Sequence, residues 1–173
     1  MVTIESIKHQ LVTIKELRNR LPAYAKLVLY KDLNGHRSQV FGRHRCLVVL
    51  YEGEINGTKQ GHYVVLIRRP NHVEYFSSLG FGPQHEKHML GLEKLGSFDK
   101  LLGKQFQYNR VKLQSDAYNI NDCAWWCLAR ILLYKMKRRE FVKFFSQKHS
   151  LQTSDDILAI AIFISANTTP QKN

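Results

Sequence analysis

The chain has 173 residues, 44% hydrophobic and 23% charged: enough apolar material for one packed core, and too much for a disordered polyelectrolyte. Three cysteines in a chain of this length exclude a fully paired disulfide framework and point to a reducing compartment. Twenty-six Lys and Arg against 14 Asp and Glu give a net charge of +12, which favours contact with a polyanion such as nucleic acid, although a solvated basic face has the same composition.

Ile4, Ile7, Leu11, Ile14, Leu17 and Leu21 recur at helical spacing until Pro22 interrupts, so an amphipathic helix opens the chain. That stretch mixes acids and lysines among its apolar positions and lacks a secretory-signal core. Residues 23–43 fit no single template beyond a turn at Asn34-Gly35. CLVVLY (46–51) reads as a buried strand. EGEINGTKQ then carries an Asn-Gly turn signal into a second strand, HYVVLIRR (62–69). Pro70-Asn71 turns the chain into a third, HVEYFS (72–77), completing an antiparallel meander that LGFGP (79–83) ends.

One or two short helices are expected within 84–104 and a strand at 106–113. Further helices are expected over 123–137, 139–148 and 154–166, followed by a frayed tail. The longest apolar run, 157–164, is too short to span a bilayer, so a soluble protein without a membrane partner is expected. The element order predicts an α+β fold, a central mostly antiparallel sheet flanked by helices, in a single domain over 1–173.

Cys123 stands where the polar stretch NIND (119–122) meets the apolar run of a helix. A thiol attacks as its thiolate, and helix N-terminal amides together with a nearby imidazolium stabilise that anion. NIND offers capping residues, and AWW (124–126) would anchor the first turn in the core. The alternative is a cysteine that merely packs, which suits Cys127 and Cys46 among their apolar neighbours. Cys123 and Cys127 share a helix face, but no paired histidine motif completes a zinc site, so no metal is expected. Among eight histidines, His62 is distinctive: it follows a glycine and begins an apolar strand, where its ring would be rigidly held.

GHYVVLIRRPNHVEYFSSLGF followed some way on by NINDCAWWC resembles the adenovirus-protease and SUMO-protease superfamily of cysteine endopeptidases. The Cys-x-Trp-Trp-Cys form, small size and basicity are most similar to its viral branch. The resemblance spans about residues 46–145. It implies a papain-like or adenain-like fold with Cys123 as nucleophile at a helix N-terminus, His62 as general base, Gln114 as oxyanion donor and Ser77 at the position that orients the histidine. Three departures accompany it. Ser77 replaces an acid or amide, so either it is a weak third member or another residue reaches in. Gln114 lies farther from Cys123 than is usual, which a short insertion at SDAYN (115–119) would reconcile; otherwise Asn119 or Asn121 would serve the oxyanion. Ala124 replaces a glycine.

The implied reaction is peptide hydrolysis through a thioester, with viral capsid precursor proteins as substrates, in the virion or host cytoplasm. No cofactor is required, although DNA or an activating peptide are candidate activators. The basic stretches YKMKRREFVK (134–143) and IRRPNH (67–72) are the candidate nucleic-acid surface. Two rivals stand beside this reading: an isopeptidase acting on ubiquitin-like tails, and a basic nucleic-acid-binding protein with an inert fold.

Overall fold

The computed structural model describes residues 12–92, 98–103, 105–115, 122–146, 153–156 and 158. A five-stranded sheet runs in the order β1 (Ala25–Leu29), β2 (Cys46–Ile55), β3 (Thr58–Arg68), β4 (Val73–Phe76), β5 (Gln107–Tyr108). The predicted meander is its centre: β2, β3 and β4 pair antiparallel. Asn56 and Gly57 join β2 to β3 with φ values of 52° and 76°, the positive pair that a two-residue hairpin turn needs and that Asn-Gly tolerates. The two outer pairings, β1 with β2 and β4 with β5, are parallel. The sheet is therefore mixed, antiparallel through its centre as expected and parallel at both edges. Residues 23–43, unreadable beforehand, supply β1, a 3₁₀ turn at Tyr30–Asp32 and the helix α2 (Arg37–Phe41). The strand expected at 106–113 shrinks to two residues.

Helices cover both faces, which is why β2 and β3 read as continuous apolar runs rather than alternating ones. On one face Val48, Val65, Ile67 and Phe76 pack against Trp126, Cys127 and Ile131 of α5 (Cys123–Leu132) and Phe141 and Phe145 of α6 (Arg138–Ser146). Leu17 of α1 (Ile14–Arg20) joins them; the rest of the predicted opening helix lies outside the described residues. On the other face Leu47, Val49, Val64 and Leu66 meet Phe41, Leu90, Leu101 and Leu102, contributed partly by α2 and α4 (Phe98–Leu102). Most of the helix predicted over 154–166 is likewise outside the described residues.

One polar lock ties α5 to the sheet. The Arg130 guanidinium, wholly buried, donates twice to Glu74 Oε1 (2.9 and 2.6 Å). Arg69 donates twice to Glu74 Oε2 (3.0 and 2.7 Å). Arg130 also donates to the carbonyls of Leu133 and Met136 just beyond α5. Every charge in the cluster thus has a partner, the condition under which buried ions are tolerated.

Candidate active site

His62 sits near the start of the apolar half of β3, opposite Tyr51 in the ladder. The chain leaves β4 at Phe76, so Ser77 emerges beside it at the sheet end. The turn that follows needs a glycine. Gly80 has φ +73°, and a Cβ there would come within 2.8 Å of the Val111–Lys112 backbone. Gly82 and Pro83 then start α3 (Pro83–Met89), with Pro at a first-turn position where its missing N–H costs nothing. This reversal brings Glu86, buried, back over Ser77.

His62 Nε2 is hydrogen-bonded to Ser77 Oγ at 3.2 Å and stands 3.4 Å from Glu86 Oε1. The Ser77 hydroxyl in turn donates to Glu86 Oε1 at 2.5 Å. Ser77 itself is clamped by the buried Asn109, which accepts from the Ser77 N–H (3.0 Å) and donates to its carbonyl (2.6 Å). Glu86 is the residue that sequence reasoning missed. The signal was present: a lone acid in the otherwise basic PQHEKH, spaced four residues before Leu90 on the helix face that buries. Asn109 gave no comparable signal.

From the other side the imidazole hydrogen-bonds Cys123, whose sulfur also accepts from the backbone N–H groups of Tyr63 and Ala124. Burial pulls the imidazole toward neutrality, but the bonds to Cys123 and Glu86 and the charges behind them overcome it, raising His62 from 6.5 to about 10. For Cys123 burial pushes up, yet the His62 hydrogen bond and charge and the two N–H groups hold the thiol below its ordinary 9.0. The other two thiols go the opposite way, with desolvation dominant in both. Cys46 is pushed up to about 12, and Cys127 lies well above the ordinary value. Cys123 alone of the three is half-buried rather than buried. A thiol with a lowered pKa paired with an acid-backed imidazole can carry out nucleophilic acyl transfer.

The structure thus brings His62, Ser77 and Cys123 together and adds Glu86. Gln114 is buried on the segment beside Ser78: its N–H donates to the Ser78 carbonyl (3.0 Å), and its Oε1 accepts from Ser78 Oγ (2.7 Å). The next residue, Ser115, donates its N–H to Asp155, which also accepts from Trp126 of α5, so this segment is tied to the helix that bears Cys123. Asn119 and Asn121 lie outside the described residues. One expectation is corrected. Asp122 takes the N-cap position, but its φ of −97° and ψ of 12° are not those of a capping residue, and its side chain makes no cap bond.

No family model matches the chain. It is 30% identical over 133 residues to the uncharacterized protein V9 of Sputnik virophage, spanning 69% of this chain and 74% of that one. Among solved structures it is similar to the C-terminal Ulp1 protease domain seen in complex with Smt3, the yeast orthologue of SUMO. That likeness covers 94% of this chain and 75% of the other, with a TM-score of 0.33 and 11% identity.

Proposed function

The chain belongs to the family of the virophage protein V9, and from that premise we propose that it is a cysteine endopeptidase processing viral capsid precursors. The observation that carries the reading is the imidazole of His62, bonded to the Cys123 sulfur on one side and to Ser77 and Glu86 on the other. With His62 raised to about 10 and Cys123 held below its ordinary value, the pair is shifted toward thiolate and imidazolium.

Because Nε2 is occupied by Ser77 and Glu86, Nδ1 is the nitrogen left for the thiol and the leaving group. The thiolate attacks the scissile carbonyl carbon and the C=O electron pair moves to oxygen. The oxyanion is held by the Cys123 N–H and the Gln114 side-chain N–H, each donor contributing about 3 kcal/mol to transition-state stabilisation. Collapse expels the amine, which takes its proton from His62. Neutral His62 then removes a proton from water, whose oxygen attacks the thioester. The acid product leaves and the ion pair re-forms. Ser77 and Glu86 favour the protonated imidazole and fix its ring.

Co-expression with candidate capsid precursors tests this: processed bands with the wild type and none with Cys123→Ala are expected. Unchanged bands with the variant would refute it. Cleavage of ubiquitin-like fusions instead would favour an isopeptidase.

A second role in binding nucleic acid is favoured by one juxtaposition. The two basic stretches meet, Arg69 and His72 lining the same depression of about 640 Å³ as Lys137, Arg138 and Arg139. An adjoining hollow of about 450 Å³ adds Arg110 and Lys143. Binding to double-stranded DNA that weakens steeply with salt is expected, and salt-independent retention would count against it.

A further inference from the structure

A further acid, Asp122, directly precedes Cys123, and a second, Asp155, adjoins Asp122. Asp122, immediately before the nucleophile, is 1% exposed, and neither of its carboxyl oxygens receives a hydrogen bond from a protein donor. An ionised carboxylate buried that way is strongly disfavoured. Asp155, also buried, is furnished in the opposite manner. One oxygen accepts the Ser115 N–H at 2.9 Å and the other the Trp126 indole N–H at 3.0 Å. The two carboxyls are in hydrogen-bonding contact. Carboxyl groups carry no donor unless protonated, so that contact requires a proton, and Asp155's N–H partners leave Asp122 as the group that holds it.

We propose that Asp122 and Asp155 are a positioning pair for the cysteine chemistry, sharing one proton that fastens the N-terminus of α5 to the Gln114–Ser115 segment. The pair joins three pieces of chain. Asp155 is set by Ser154, whose hydroxyl donates to the Phe145 carbonyl at 2.8 Å, and by Leu158 in the core. From there it grips α5 through Trp126 and Asp122, and the residue after Gln114 through Ser115. The proton also keeps a negative charge away from the thiolate. The groups facing Asp122 are Asp155 and Cys123, with His62 of β3 beyond the sulfur. Burial first, then the charge and hydrogen bond of Asp155, then the charge of Cys123, raise Asp122 to about 9. Since its folded value lies above the ordinary 3.8, the stability of the neutral form is complete below about 3.8 and lost as pH rises through about 9. The latch opens on the alkaline side.

The role rests on the peptidase reading, but the shared proton is tested without it. Infrared spectroscopy of the full chain at neutral pH is expected to show the carbonyl band of a protonated carboxyl, absent in Asp122→Asn. Lack of that band in the wild type overturns the proposal, and this measurement needs no variant to fold. Labelling of Cys123 by a thiol reagent is expected to fall above pH about 9 in the wild type, and Asp122→Asn, which donates to Asp155 but cannot ionise, is expected to lose that fall. Identical profiles overturn the proposal. Asp155→Asn is expected to lower kcat about tenfold with little change in KM, the size of one charge-assisted hydrogen bond. If the band and profile behave as expected while no peptide is cleaved, the pair stands and the peptidase reading falls.

Discussion

Glu74 and Glu86 are both 2% exposed, yet they are partnered in opposite ways. Glu74 is enclosed by two guanidiniums, one bidentate on each oxygen. A guanidinium is a permanent cation under ordinary conditions. Glu86 is bonded to a serine hydroxyl and an imidazole, a cation that exists only while it holds a proton. The first arrangement fastens a helix to a sheet. The second stores a proton next to a sulfur. Burial and charge are common to both, and the titratability of the partner is what separates a fastener from a working group.

Four experiments set these glutamates against each other. The largest effect is expected from His62→Ala, which removes the switchable partner: kcat/KM should fall ~10²–10⁴-fold, the usual contribution of an acid–base group. Selective alkylation of Cys123 should disappear with it. Equal labelling of all three cysteines in the wild type would sink the active-site reading. Next comes Arg130→Ala, which leaves part of the Glu74 charge uncompensated; chemical denaturation should report a loss of about 3–5 kcal/mol. The turnover of folded molecules should change far less than their stability.

Glu86→Gln should lower kcat/KM roughly 10- to 100-fold, the worth of a hydrogen bond to a charged group. Its pH dependence sharpens the contrast. Because folded His62 titrates near 10 rather than 6.5, its stabilisation is complete below about 6.5 and lost as pH rises through about 10. The stability gap between wild type and Glu86→Gln should therefore close toward pH 10, whereas the gap for Arg130→Ala should persist. The smallest change is expected from Ser77→Ala, about fivefold in kcat/KM for one neutral hydrogen bond, since Glu86 Oε1 already lies 3.4 Å from the imidazole.

What the sequence discloses follows the same line between local and distant causes. The β2–β3 hairpin is legible because Asn56-Gly57 dictates its turn within two residues. His62 and Cys123 are legible because a strand start and a helix start are local features, each marked by its neighbours. The parallel edges are not. AKLVL is a short strand with a lysine at its second position, and its pairing with β2 is decided by residues about twenty positions away. Glu86 is legible only as a buried acid on its helix: that its carboxylate reaches the imidazole depends on a reversal at Gly80 and Gly82, a path that no spacing rule encodes. Asp122 reads as a helix cap, and only the arrival of Asp155 from far along the chain makes it something else.

The hydrogen bond between an imidazole on β3 and a sulfur on α5 also sets an order of events at the ribosome. His62, Ser77 and Glu86 leave the exit tunnel well before Cys123, so the nascent chain carries an ordinary, mostly protonated thiol until α5 docks on the sheet. The lowered pKa of the sulfur comes into being only with that docking. Translation itself then withholds the reactive thiol from neighbouring nascent chains and from oxidants.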